Sequence, residues 1–186
     1  MATLEKWFEQ AIPAEDFVAS MQTHRENLQS IYQQFRVPEE DRAFFDGLKS
    51  KGIRVIAITE DWCGDAMMNT PILMRIAEAA GMEIRMILRD QNLELMDQYL
   101  TNGTARSIPI FIFIDKNGEE RAVWGPRAAR VQEFAMGLKA GLPPKEDPHF
   151  AKEQKRVIEK ITQAYTKDRQ LWKEVYDSLK NVLTTI

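Results

Sequence analysis

The decisive stretch of this sequence is Glu60-Asp61-Trp62-Cys63-Gly64-Asp65-Ala66. Cys63 is the single cysteine of the chain, and it lies between a strand-like run and a helix-like run. The free N–H groups and the dipole at the start of a helix stabilise a thiolate over a thiol. The position therefore predicts a lowered pKa for Cys63 and a reactive sulfur.

Strands and helices alternate on both sides of this stretch. A run rich in β-branched residues, Ile53–Thr59, precedes it, and a helix from Ala66 to Ala80, interrupted by Pro71 and ended by Gly81, follows it. The order of elements is βαβαββα, which predicts a mixed central sheet in an α/β fold. The remaining elements are a strand at Ile84–Leu88, a helix at Leu93–Leu100, a strand at Ile110–Ile114, a hairpin turn at Asp115–Gly118, a strand at Arg121–Trp124 and a helix at Ala128–Lys139.

Helical segments flank this α/β region, so three parts are predicted: an N-terminal helical extension (1–50), the α/β domain (51–141) and a C-terminal helix (148–186). Apolar residues from Phe17 to Phe35 recur at helical spacing and predict one helix. Beyond His149 there is neither Gly nor Pro, which predicts one long helix with an apolar stripe. That stripe packs either on the domain or on a partner, as in a homodimer.

Composition excludes several classes of partner. The chain has 186 residues, a formal net charge of −3 and no basic run, so neither nucleic acid nor an anionic membrane is an expected partner. No apolar run approaches the about 20 residues that span a bilayer. The first residues lack the basic and apolar regions of a signal peptide. With one unpaired cysteine, these features lead us to expect a reducing, cytoplasmic location.

Trp62-Cys63-Gly64 resembles the active-site motif of the thioredoxin superfamily, which carries Trp-Cys-Gly-x-Cys between a strand and a helix. The resemblance covers about residues 53–138. Among the relatives, the chain is similar to a bacterial thioredoxin-like group whose second cysteine is optional. It extends to the helix proline eight residues after the cysteine (Pro71), the cis-proline that opens a central strand (Pro109), a hairpin glycine (Gly118) and the glycine after the last strand (Gly125).

The resemblance implies a role for each motif residue. Cys63 is the expected nucleophile, Pro109 is a cis-proline that packs against it, and the backbone of Ile108 is the docking edge for an incoming peptide or thiol. Trp62, Gly64 and Asp65 complete the expected groove. The chain departs from the family at two positions: Ala66 replaces the resolving cysteine, and Ala57 replaces a buried aspartate that assists proton transfer. Both aids to resolving a mixed disulfide are therefore missing.

The sequence is compatible with two functions. The first is monothiol redox chemistry, in which Cys63 forms mixed disulfides with a protein or a low-molecular-weight thiol. The alternative is a catalytically retired module that uses the cis-proline groove to hold a peptide or protein. The negative charge of Asp65 opposes thiolate formation, unless its carboxylate caps the helix instead. No cofactor or metal is expected, because His24 and His149 have no neighbouring ligand set.

Overall fold

A computed structural model describes residues 3–186 of the chain. The first two residues of the predicted N-terminal extension lie outside this range. The sheet has five strands in the order β1-β3-β2-β4-β5, where β2 runs parallel to β3 and antiparallel to β4. The predicted mixed sheet is therefore confirmed. The strands are β1 (Ile12–Pro13), β2 (Arg54–Thr59), β3 (Glu83–Leu88), β4 (Ile110–Ile114) and β5 (Glu120–Trp124).

Both faces of the central strands are buried, which explains why β4 is entirely apolar. Side chains of a strand alternate between the two faces of a sheet. Accordingly Phe111 and Phe113 join one hydrophobic cluster, whereas Ile110, Ile112 and Ile114 join another on the opposite face. The second cluster also contains Cys63, so the cysteine lies against the isoleucine face of β4.

The N-terminal region is helical but more divided than predicted. The single helix expected over Phe17–Phe35 is wrong, because the chain breaks at Met21–His24 and His24 adopts a left-handed φ of 62° that no α-helix accommodates. The two-residue strand β1 on the sheet edge was also missed. The helices here are α1 (Leu4–Gln10), α2 (Ala14–Ser20), α3 (Arg25–Gln34) and, after a 3₁₀ turn at Glu39–Asp41, α4 (Arg42–Lys49).

The remaining helices are α5 (Gly64–Ala80), α6 (Leu93–Met96), α7 (Ala129–Lys139), α8 (Phe150–Lys167) and α9 (Arg169–Leu183). The C-terminal segment is helical as expected, but it forms two helices rather than one. Asp168 leaves helical geometry with a ψ of 102°, and its carboxylate accepts hydrogen bonds from the Gln170 and Leu171 amides at the start of α9. The apolar side of α9 packs against α5, α7 and β5.

Candidate functional site

Cys63 occupies the N-cap position of α5, four positions after the last residue of β2. Its sulfur accepts a hydrogen bond from the Ala66 amide at 3.4 Å. This contact uses one of the free N–H groups that every helix start presents. The predicted placement of the sulfur at the start of a helix therefore agrees with the structure.

The loop before β4 covers the sulfur from the other side. The Ile108–Pro109 peptide bond is cis, and the Cys63 thiol donates a hydrogen bond to the Ile108 carbonyl oxygen at 3.5 Å. A carbonyl oxygen is an acceptor only, so this contact favours the protonated thiol over the thiolate. The backbone of Ile108 was expected to dock a ligand, and its carbonyl oxygen is already engaged within the chain.

The acidity of Cys63 differs from the expectation drawn from its position. The residue is 7% exposed, and burial raises the pKa of the thiol to about 11. The Asp65 charge also raises this pKa, whereas the Ala66 and Asp65 amides and the Arg127 charge lower it. The prediction of a lowered pKa is therefore wrong, because loss of hydration outweighs the helix start.

Asp65 takes part in a buried polar network that motif spacing did not indicate. Arg127 donates from Nε and Nη2 to the two Asp65 carboxylate oxygens, both at 2.7 Å, and the Tyr165 hydroxyl on α8 donates to Oδ1 at 2.8 Å. The Asp65 carboxylate is therefore neither a cap of α5 nor an unpaired charge near the sulfur. The network joins the cysteine loop to the C-terminal helices, with Tyr165 lying 100 positions from Asp65.

An open groove of about 550 Å³ lies over Cys63. Four residues predicted for the site line it, namely Trp62, Cys63, Asp65 and Ile108, whereas Gly64, Ala66 and Pro109 lie outside its lining. Trp62 is 48% exposed, and the Arg89 guanidinium lies 4.9 Å from the centre of its ring. The other lining residues are Arg89, Thr101, Asn102, Arg106, Ser107, Pro126, Arg127 and Gln132.

The three arginines of the groove were missed by sequence reasoning. Arg106 lies three positions before Pro109, and Arg127 lies two positions after Gly125, so both are close in sequence to positions that the resemblance had identified. An arginine near each of these positions was the available signal. Trp124 is buried and stacks on Phe111, so it belongs to the core.

A second cis bond, Gly125–Pro126, shapes the wall of the groove. The Pro126 carbonyl accepts a hydrogen bond from the buried Asn69 amide of α5 at 3.0 Å. Gly125 has a φ of 133°, and a Cβ built on it would lie 2.2 Å from the Pro109 carbonyl oxygen. The two proline segments therefore approach each other so closely that only glycine fits between them.

Gly125→Ala is expected to destabilise the fold by about 2–3 kcal/mol, because the methyl group clashes with the Pro109 backbone and the φ is unfavourable for alanine. Urea unfolding followed by circular dichroism measures this change. The matched control is Gly137→Ala in α7, where a Cβ meets nothing within 4 Å. It should stabilise the chain by about 0.5–1 kcal/mol through helix propensity. Equal unfolding midpoints for the two variants would contradict the prediction.

Neither a metal centre nor a transmembrane helix is found in the described chain. Residues 3–186 contain no cluster of three or more His, Cys, Asp or Glu side chains with metal-binding geometry. Over the same range, every helix is too short or too polar to traverse a bilayer.

Comparisons with known proteins agree with this architecture. Residues 11–143 match the family model described as thioredoxin. An HIV epitope-scaffold is similar in structure, with a TM-score of 0.68 and 15% identity over 100% of both chains. A protein of unknown function from Pseudomonas aeruginosa has a TM-score of 0.65 and 16% identity, covering 97% of this chain and 99% of its own. At these identities the two structures support the fold alone. No curated protein matched the sequence.

Proposed function

The chain belongs to the thioredoxin family, and we propose that it is a binding module. Its groove over Cys63 holds an extended segment of a protein partner without a covalent bond. The observation that carries the proposal is the state of the sulfur. Cys63 is buried, and its S–H donates to the Ile108 carbonyl oxygen. A thiol is a poor nucleophile until it is deprotonated, so Cys63 at neutral pH serves as part of the groove floor.

The surroundings of the sulfur support the same proposal. Resolution of a mixed disulfide within the chain needs a second thiol, assisted by a proton acceptor, and the buried residues at the two family positions are Ala66 and Ala57. The carboxylate of Asp65, two positions from Cys63, is engaged by Arg127 and Tyr165. These residues supply no group that would expel a bound partner from a mixed disulfide.

The groove itself has the features of a binding site. Its volume of about 550 Å³ lies within the range of about 300–1,000 Å³ typical of ligand sites. The half-exposed Trp62 offers a large rigid surface, and aromatic residues of this kind commonly anchor protein partners. A half-exposed tryptophan at the mouth of a groove is more readily explained by a partner than by stability.

Monothiol exchange is the second candidate, favoured by the hydrogen bond from the Ala66 amide to the Cys63 sulfur. In that reaction the Cys63 thiolate attacks one sulfur of a partner disulfide, forms a mixed disulfide and displaces the other sulfur as a thiolate. An external thiol then attacks the mixed disulfide and releases Cys63, because position 66 is alanine. Deprotonation of the buried thiol is the step that slows this route.

The test compares two variants in calorimetric titrations with end-blocked hexapeptides of acidic, neutral and basic composition. Cys63→Ser should bind the best peptide within about twofold of the original chain, because no covalent bond is involved. Trp62→Ala should bind it at least about tenfold more weakly, since it removes the aromatic anchor. Both variants are checked by circular dichroism for an unchanged fold.

Three results would contradict the binding proposal. These are the absence of binding by every peptide, binding that disappears in Cys63→Ser, or binding that is unaffected in Trp62→Ala. Mass spectrometry of the chain incubated with oxidised glutathione at pH 7 provides a separate measurement. Rapid formation of an adduct at Cys63 would favour the monothiol candidate.

A further inference from the structure

Two acidic residues of the cysteine motif, Glu60 and Asp61, come just before Trp62 but do not line the groove over Cys63. We infer that both are positioning residues. Their carboxylates hold the loop that carries Trp62, so that the aromatic anchor is in place before a partner binds. This inference rests on the proposed binding function and identifies the residues that prepare its anchor.

Asp61 joins the loop to the break between α2 and α3. Its Oδ2 accepts hydrogen bonds from the Gln22 amide at 2.8 Å and from the Thr23 amide at 3.2 Å. Both amides belong to non-helical residues just before α3, so no helical carbonyl competes for them. Hydrogen bonds from a backbone N–H to an ionised carboxylate are among the stronger ones in proteins. The N-terminal region, 38 and 39 positions away, therefore restrains the path of this loop.

Glu60 joins the same loop to a second segment, the 3₁₀ turn Arg89–Gln91. Its Oε1 accepts a hydrogen bond from the Asp90 amide at 2.8 Å. The Asp90 carboxylate in turn accepts from Nε and Nη2 of Arg89, at 2.9 and 2.7 Å. The Arg89 guanidinium lies 4.9 Å from the centre of the Trp62 ring. Glu60 therefore holds in place the turn whose arginine contacts the anchor.

Trp62 depends on these contacts because burial does little to fix it. The residue is 48% exposed, so packing restrains only part of its side chain. Both acids bind backbone amides rather than side chains, so their contacts fix the course of the chain on either side of the tryptophan. Ordering a loop and a side chain on binding costs free energy, and a site that is already ordered avoids this cost.

Nitrogen-15 relaxation of the full chain measures the order of the loop directly. The Trp62 backbone N–H should have an order parameter of about 0.85, and this should fall below about 0.6 in the double variant Glu60→Ala/Asp61→Ala. The variant Glu60→Gln/Asp61→Asn keeps an oxygen acceptor at each position and should retain the higher value. Glu94→Ala, which removes an exposed charge from α6, is the matched control and should also retain it. The amide spectrum outside the loop verifies each fold.

A double-mutant cycle tests whether Asp61 acts through Trp62. It uses whichever of the acidic, neutral and basic hexapeptides binds most tightly to the original chain. Asp61→Ala should weaken this binding about fivefold, because the anchor must then be ordered on binding, and Asp61→Asn should restore most of the affinity. In the Trp62→Ala background the same alanine substitution should cost less than about twofold, because the anchor that it positions is gone. A merely structural role would give equal losses in the two backgrounds.

The outcomes separate the positioning role from the function on which it rests. An order parameter at Trp62 below about 0.6 in the original chain overturns the positioning role without any variant, so a folding defect would not prevent a decision. An unchanged order parameter in the double alanine variant, or equal losses in the two backgrounds of the cycle, also overturns it and leaves the binding module standing. If no hexapeptide binds while Trp62 loses order in the double alanine variant, the failure belongs to the binding function alone.

Discussion

Alkylation of Cys63 by iodoacetamide at pH 7 is expected to be about tenfold slower in the folded chain than in the same chain unfolded in urea. The pKa of the folded thiol is raised from 9.0 to about 11. The thiolate fraction at pH 7 is then about 100-fold smaller. The greater nucleophilicity of a more basic thiolate recovers about tenfold of this loss. Burial of the sulfur adds a steric barrier in the same direction.

The pH dependence of the rate is the sharper measurement. Between pH 7 and 9.5 the rate in the folded chain should rise about tenfold per pH unit without levelling off, because the thiol remains mostly protonated throughout. The unfolded chain should level off near pH 8.5–9, and since it contains the same single cysteine it is an internal control. Circular dichroism at each pH verifies the fold. A plateau below pH 8.5 in the folded chain would contradict the prediction and favour monothiol exchange over the binding function.

Two carboxylate variants test the cause of the shift. Asp65→Asn removes a charge that raises the pKa of Cys63 and should accelerate alkylation at pH 7, but by less than about tenfold, because burial is the larger cause. Asp97→Asn removes a carboxylate at the groove edge that does not contribute to this pKa. Its alkylation rate should therefore equal that of the original chain. A larger effect from Asp97→Asn than from Asp65→Asn would contradict this assignment.

The location of the site was predictable because its signals are local in sequence. The run Ile110–Ile114 is so apolar that it fits only a strand buried on both faces, and the structure places it there. Trp62 and Cys63 lie between β2 and α5, and Gly64 begins α5, because a strand and a helix on either side of a short loop determine where the cysteine falls. The local sequence pattern was therefore sufficient to predict the buried strand and the position of the cysteine.

The chemistry of the site was not predictable from such patterns. The pKa of Cys63 depends on how much water reaches the sulfur, and that is decided by the Ile108 segment, 45 positions away. The partners of Asp65 are more distant still, at 62 positions for Arg127 and 100 for Tyr165. The position of Cys63 at a helix start predicts a lowered pKa. The structure shows that the thiol is also removed from water, and this desolvation, which raises the pKa, depends on residues distant in sequence.

The largest effect on stability is expected for Trp172→Ala, at about 3–5 kcal/mol. Trp172 is 2% exposed, and its indole nitrogen donates to the Tyr165 carbonyl oxygen at 2.7 Å across the junction of α8 and α9. The substitution leaves a cavity in the cluster shared with the helix α5 and removes the partner of a buried carbonyl. Because natural domains are stable by only about 5–15 kcal/mol, this loss is a large fraction of the total.

Urea unfolding of Trp172→Ala and Trp172→Phe provides the measurement, with Trp62→Ala as the matched control. Trp172→Phe retains part of the packing and should cost less than Trp172→Ala, so it remains measurable if the alanine variant does not fold. Trp62 is 48% exposed, and its removal should cost less than about 1 kcal/mol. Costs below about 1 kcal/mol for both Trp172 variants would contradict the prediction that packing of α9 on the domain stabilises it. A large cost confined to the Trp172 variants would support the prediction. Trp172 joins α9 to α8 through the Tyr165 carbonyl oxygen, and the hydroxyl of the same tyrosine donates to Asp65, two positions from Cys63.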